Sequence, residues 1–288
     1  MKQTVLITGT SSGLGKSAAK LFASKGWNVI ATMRDPSKET ELTQLDDVLV
    51  TRLDVQDRAS IDQAIKAGIA RFGRIDTLVN NAGFGLFGVF ETTPPDKIKE
   101  QFDVNVFGVM DVTRAMLPHF RGNKAGTIIN ISSGAGVFAL PAISLYCASK
   151  FALEGFSEAL SYELASQNII VKVIEPGGVL STNFGKRSGE EAAHNSSITD
   201  YDAFVAHTTA IFTGLRADRR GTEADVAQTI YKAATDGTDQ LRYVATHDIL
   251  PLVTARRGTS EADYIALMRA QFMSKPDAAR AKPARSPA

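Results

Sequence analysis

The sequence predicts an α/β protein: a parallel sheet with helices on both faces, followed by a helical C-terminal extension. Short β-rich runs alternate with longer segments of helical period, which is the pattern of βαβ units. The first run leads into a glycine-rich turn that opens a helix, where a parallel sheet can bind phosphate. A length of 288 residues, 44% hydrophobic and 22% charged, suits a large globular domain.

In chain order, the runs that predict strands are 5–8, 28–32, 48–53, 77–80, 126–131, 169–175 and 241–245. Each is short and apolar, as in VLIT or VLVTRL, and fits a strand buried on both faces. The segments of helical period are 13–25, 57–72, 96–120, 145–166 and 223–235. Residues 178–221 break the rhythm, polar in KRSGEEAAHNSSITD and more apolar in FVAHTTAIF, as expected of a lid or substrate loop. ADYIALMRAQF predicts a terminal helix within an extension over 247–274. Residues 1–274 are thus expected to form one domain, with 275–288 a frayed tail rich in Ala, Pro, Lys and Arg.

A formal net charge of +1 offers no attraction to nucleic acid or an acidic membrane. The single Cys147 cannot form an internal disulfide, so a reducing compartment is expected. With no His or Asp spaced beside it, Cys147 reads as a small buried residue. The N-terminus enters TVLIT with no basic and apolar leader before it. No window reaches the ~18–20 apolar residues of a spanning helix, and a cytoplasmic protein is expected. His194, His207 and His247 lack metal-ligand spacing, so no metal is expected.

The chemistry concentrates in ISSGAGVFALPAISLYCASK, residues 131–150. Tyr146 and Lys150 stand one helical turn apart on a shared face. A cation beside a phenol favours the phenolate, which is expected to lower the Tyr pKa from about 10. Such a phenol can pass a proton to or from an alcohol oxygen near neutral pH. Ser133 can hydrogen-bond the same oxygen. A Tyr-x-x-x-Lys pair alone is common on helices; it gains meaning only if the chain also binds a hydride carrier.

The turn TGTSSGLG, residues 8–15, supplies that condition. Its glycines at 9, 13 and 15 allow a tight turn and close backbone approach to a diphosphate. The spacing is Gly-x-x-x-Gly-x-Gly. Together with NNAG at 80–83, the Ser133/Tyr146/Lys150 set and Pro176–Gly177 after the sixth run, it resembles the short-chain dehydrogenase/reductase family over residues 3–245. The motifs occur in the family's order, which makes the resemblance specific.

The resemblance implies a single Rossmann-type α/β/α domain with a seven-stranded sheet. It implies phosphate contacts at Gly9, Ser11, Ser12, Gly13, Leu14 and Gly15. It implies adenine contacts at Asp54 and Val55, and cofactor contacts at Asn81, Ala82 and Gly83, with Asn80 stabilising the sheet. Pro176, Gly177, Val179 and Thr182 would face the nicotinamide. Tyr146 would be the acid/base and Lys150 its activator, the latter also holding the ribose. Ser133 would polarise the substrate oxygen, favoured over Ser132 by its spacing to Tyr146. Asn105, in FDVNVFG, would sustain a proton relay through a local helix distortion. The helices over 96–120 and 145–166 pair across a two-fold axis in the family, which implies a homodimer or homotetramer.

The choice of nicotinamide cofactor depends on charge. An acid at the end of the second strand holds the NAD ribose, whereas an Arg accommodates the NADP phosphate. In VIATMRDP, Met33 stands where the acid would be and Arg34 follows. Arg34 can pair with phosphate through a bidentate fork, so NADP(H) is expected over NAD(H). The competing assignment is a surface pair of Arg34 with Asp35 or Glu39. Beyond NNAG, Phe84, Leu86, Phe87, Val89 and Phe90 are candidates to line an apolar mouth, with Phe184, Phe204, Ile211 and Phe212 from the variable loop. A hydrophobic ketone, aldehyde or secondary alcohol is the expected substrate, as in steroid- and retinoid-type members. The alternatives are a non-catalytic NADP-binding sensor or scaffold, a methyltransferase on a related sheet, and a family member with epimerase or lyase chemistry.

Overall fold

The computed structural model describes residues 2–179, 198–218 and 221–273. Its strands are β1 (Thr4–Thr8), β2 (Asn28–Met33), β3 (Val48–Arg52), β4 (Thr77–Asn80), β5 (Gly126–Ile131), β6 (Ile169–Glu175) and β7 (Arg242–Val244). They form one parallel sheet in the order β3-β2-β1-β4-β5-β6-β7. The order reverses between β1 and β4, which pair in the register Val5↔Thr77 to Ile7↔Val79. A crevice for a ligand therefore opens beyond the carboxyl ends of these two strands.

Side chains alternate across the sheet and feed two cores. Val5, Ile7, Val29 and Val79 face one layer with Phe22 of α1 (Gly13–Ser24). Leu6, Ile30, Leu78 and Ile128 face the other. There they meet Ile61 and Ile65 of α2 (Arg58–Phe72). Asp57 caps α2 by accepting from the Ser60 N–H, so this helix starts one residue later than expected.

The expected helix over 96–120 is three pieces: α3 (Pro95–Phe102), a π-helical turn (Asp103–Phe107) and α4 (Gly108–Asn123). Such a bulge inside a helix often marks a functional site. α5 (Ser144–Ala165) is continuous. Within the stretch read as a loop, the structure shows α6 (Asp202–Asp218); apolar residues in FVAHTTAIF carry it. α7 (Glu223–Thr235) opens on a capping box formed by Thr222 and Asp225.

The extension holds two helices, α8 (Leu250–Gly258) and α9 (Glu261–Phe272). Together they bury Val253, Tyr264, Met268 and Phe272 against Val137 and Phe138. The extension is thus packed on the loop that follows β5. No helix of the described residues is long and apolar enough to cross a membrane.

Candidate active site

The phosphate-type turn lies between β1 and α1. Gly9 and Gly13 have φ of +72° and +59°, a backbone conformation that glycine adopts without strain. A Cβ at Gly15 would overlap the Gly9 carbonyl oxygen and the Asn81 side chain. Ser11 and Ser12 are exposed, and the Ser12 side chain does not cap α1. The first turn of α1 carries no acidic residue, and Leu14 packs inward against the core. The helix start therefore offers backbone N–H groups and free hydroxyls to an anion.

Thr8 ties this turn to the end of β4. Its hydroxyl accepts from the backbone N–H groups of Asn81 at 2.9 Å and Ala82 at 3.0 Å. The Asn81 side chain in return donates to the carbonyls of Thr8 at 2.8 Å and Gly9 at 3.0 Å. Asn80 donates to Asn130 at 2.8 Å and to Thr113 at 3.1 Å, joining β4, β5 and α4.

Around the crevice, Asp54 is half-buried and accepts from the Gln56 N–H at 3.1 Å. Val55 is buried against Gly108. Arg34 is exposed at the end of β2. Neither acid of the competing assignment takes it: Asp35 pairs with Lys38 at 3.0 Å and Glu39 with Lys16 at 3.3 Å. The Pro176 carbonyl accepts from Gly134 N–H at 2.8 Å. Gly177 N–H donates to Thr246 Oγ1 at 2.8 Å and Gly178 N–H to Asp248 at 3.1 Å. Val179 packs on the core shared with α1. Thr182, Phe184 and His194 lie outside the described residues. The cradle at Gly15, the free helix start and the exposed Arg34 fit the phosphates of a dinucleotide, and the half-buried Asp54 fits its adenine.

Ser133, Tyr146, Lys150 and Asn105 converge at the end of β5. The Ser133 and Tyr146 hydroxyls share a hydrogen bond. Ser132, its neighbour, has a buried Oγ with no partner among the described residues, so of the two serines it is Ser133 that reaches Tyr146. Lys150 is 6% exposed. Its Nζ donates to the Ile131 carbonyl at 2.8 Å and lies 5.7 Å from the Tyr146 ring centre.

Asn105 sits in the π-turn. Its amide donates to the Phe84 carbonyl at 2.7 Å and to Ser149 at 3.1 Å, and accepts from Phe84 N–H at 3.0 Å. Ser149 passes the link on to the Tyr146 carbonyl at 2.8 Å. Asn105 thus fastens α5 to the loop after β4, and a Cβ at Gly83 would stand 3.1 Å from its oxygen.

The electrostatics correct one expectation. The Tyr146 phenol is not lowered: burial pushes it up to about 12, against the hydrogen bond from Ser133. Burial also brings Lys150 down to about 8. Desolvation thus outweighs the pairing. Cys147 is buried and its thiol is raised by that burial, so it stays protonated at neutral pH.

The apolar mouth is also revised. Phe84 and Leu86 are each 5% exposed and packed inward, because Asn105 and Gln101 hold the Phe84 backbone. Phe87 instead packs on the cluster of Tyr146 and Cys147 and meets Phe212 edge to face, with ring centres 5.7 Å apart. Ile211 packs on the extension's core. Phe90 and Phe204 are exposed.

Several supporting residues carry no sequence signal. Thr8 and Ser149 lie inside recognised motifs, yet only contacts reveal their role. Thr246 and Asp248 lie 69 and 70 residues from their partners and have no local pattern.

The short chain dehydrogenase family profile matches residues 3–193. An uncharacterized oxidoreductase of Schizosaccharomyces pombe is 35% identical over 242 residues, covering 83% of this chain and 99% of its own length. The 3-ketodihydrosphingosine reductase of Bacteroides thetaiotaomicron is 41% identical over 175 residues, 61% of this chain and 63% of its own. Among solved structures, a short-chain dehydrogenase from Streptomyces avermitilis has 29% identity and a TM-score of 0.74, with 99% of both chains covered. ElxO with NADP bound has 27% identity and a TM-score of 0.70, over 85% of this chain and 97% of its own. The 3-ketoacyl-(acyl-carrier-protein) reductase of Brucella melitensis, complexed with NADH, has 27% identity and a TM-score of 0.69, over 85% and 95%.

Proposed function

The chain belongs to the short-chain dehydrogenase family of oxidoreductases, and from that premise we propose an NADP(H)-dependent enzyme that interconverts a hydrophobic ketone or aldehyde and its alcohol. The observation that carries it is the hydrogen-bonded Ser133–Tyr146 hydroxyl pair, with Tyr146 buried and Lys150 buried one turn on. When bound, NADPH supplies the hydride. Tyr146 holds a proton at its phenol oxygen and gives it to the developing alkoxide. Ser133 donates to the same oxygen and stabilises its charge. Lys150 holds a positive charge beside the phenol, which eases loss of the Tyr146 proton. Asn105 and Ser149 keep α5 in register with the loop after β4. Gly9, Ser11, Ser12, Gly13, Leu14, Gly15, Asn81, Ala82 and Gly83 would hold the diphosphate side, and Asp54 and Val55 the adenine. Pro176, Gly177 and Val179 would face the nicotinamide.

The preference for NADP(H) rests on Arg34, which no acid beside it engages, and on Met33 where an acid would hold NAD. NADP is bound in one structural neighbour and NADH in another, so the residues at the end of β2 carry the argument. The apolar substrate class rests on Phe87 packed beside Tyr146 with Phe212 edge to face on it, and draws support from the 3-ketodihydrosphingosine reductase among the relatives.

The test is NADPH consumption by purified protein across a panel of steroids, long-chain ketones, aldehydes and polar sugars. Turnover of the apolar members supports the proposal; turnover of sugars alone, or faster use of NADH, overturns it. A homodimer or homotetramer is proposed as well. Phe107, beside α4, and Phe151 and Tyr162 on α5 are 55%, 42% and 72% exposed, on helices that would pair. Light scattering that gives a monomer mass would contradict this.

A further inference from the structure

A second cluster of charge is buried beside the proposed reaction centre. Glu154 follows Lys150 by one turn of α5 and is 6% exposed. Its Oε2 accepts from Arg242 Nε of β7 at 2.9 Å. Its Oε1 is buried with no hydrogen-bond partner among the described residues. Arg242 also donates to Glu158 at 2.5 Å and lies 3.7 Å from Glu175. Glu175 ends β6, is fully buried and pairs with Arg257 of α8. Ser132 at the end of β5 likewise has a buried Oγ with no partner among the described residues. A Cβ at Gly136 would stand 2.7 Å from that oxygen and 3.0 Å from Glu154 Cγ.

A buried carboxylate with one bare oxygen is costly, and a purely structural ion pair gains nothing from leaving it bare. A charge in such an interior acts on its neighbours over several ångströms, because little water screens it. The ionisable neighbour one turn away is Lys150.

We propose that Glu154 is a positioning residue that holds Lys150 in its charged form, with Arg242 of β7 setting the strength of its field. The role in turnover rests on Tyr146 and Lys150 being the proton-transfer pair. The groups facing Lys150 are the Tyr146 phenol and Glu154 from α5, the Ile131 carbonyl from β5 and the Asn105 amide from the π-turn. Those facing Glu154 are Arg242, Ser132 and Glu175, the last with Arg257 behind it, and Glu158 joins through Arg242. Of these, Glu154 is the charge that opposes the lowering of Lys150 by burial. Losing the Glu154 charge leaves Arg242 less compensated, so Lys150 gives up its proton at lower pH. Losing the Arg242 charge does the reverse.

The test follows the Lys150 titration by NMR of lysine-labelled full-length protein, assigned with a Lys150→Arg variant. Glu154→Gln should move the midpoint down by about half to one pH unit, and Arg242→Gln should move it up, from the Coulomb energy of a partly screened charge. Glu154→Asp keeps the charge and should keep the midpoint. An unchanged midpoint in a folded Glu154→Gln protein overturns the proposal. Where that variant fails to fold, an unchanged or lowered midpoint in Arg242→Gln overturns it. Wild-type turnover of an apolar ketone with NADPH is measured alongside. Its absence counts against the reductase assignment, while the titration still decides whether Glu154 governs Lys150.

Discussion

Lys150 Nζ donates a 2.8 Å hydrogen bond to the Ile131 carbonyl while standing 5.7 Å from the centre of the Tyr146 ring. The lysine is thereby fixed to the end of β5, and its charge is delivered to a phenol that burial holds protonated. In the proposed mechanism, carbonyl reduction needs Tyr146 protonated and Lys150 charged. Tyr146 keeps its proton up to about 12, but Lys150 loses its charge near about 8. The expected rate of reduction falls as pH rises through about 8. A kcat/KM profile for ketone reduction checks this, and a profile flat across that range contradicts it.

Tyr146→Phe removes the transferable proton and leaves the ring. Turnover should fall roughly a hundred- to ten-thousand-fold, the usual contribution of a positioned acid. NADPH binding, followed by fluorescence titration, should change little. Near-normal turnover would remove Tyr146 from the mechanism.

Arg34→Ala discriminates between the cofactors. Losing a charge-assisted contact of ~1.5–3 kcal/mol should raise KM for NADPH by roughly ten- to a hundredfold. KM for NADH should stay as it is, because NADH lacks the phosphate. Equal effects on both cofactors would show that Arg34 does not read the phosphate.

Thr8→Val keeps the shape and removes a hydroxyl that accepts from Asn81 and Ala82 N–H. Thr8 is 1% exposed, so both donors would be left bare. Each costs ~1–3 kcal/mol. A denaturant midpoint lowered together with weaker NADPH binding is the expected outcome; unchanged binding would separate Thr8 from the cofactor turn.

Asp236→Asn tests a structural pair at the far end of the sheet. Lys172 is 2% exposed and donates to Asp236 at 2.6 Å, and the Tyr243 hydroxyl donates to the same carboxylate at 2.6 Å. Leaving this lysine unpaired should cost ~3–5 kcal/mol. Burial works to raise the Asp236 carboxyl, but the bonds from Lys172 and Tyr243 hold it well below the ordinary carboxylate range. A depressed folded pKa means the stabilisation is present above the ordinary value of 3.8 and is lost as pH falls below it. Urea unfolding at falling pH checks this: the wild-type midpoint should drop and the variant's should drop less.

The parallel sheet was legible because strands buried on both faces need apolar runs, as in TVLIT and TIINI. The strand boundaries moved by only a residue or two. The π-turn at Asp103–Phe107 was not legible from periodicity, since FDVNVFG keeps a helical pattern through it. α6 was missed because its sequence mixes polar and apolar residues without a clean stripe. α8 lies inside the expected helical extension, and Pro251 stands in its first turn, where proline is well placed.

The sequence by itself determined the motifs and the order in which their candidate residues lie: the glycine turn and Arg34 for binding, and Asn105, Ser133, Tyr146 and Lys150 for chemistry. It could do so because turns, helical spacing and donor chemistry are local properties. Only the tertiary structure decided the energies. Burial at the end of β5 raised the phenol and lowered the lysine, reversing the local expectation. Contacts across distant elements chose Ser133 over Ser132, turned Phe84 inward and set Arg242 against Glu154, because desolvation and ion pairing depend on what the fold brings alongside a residue.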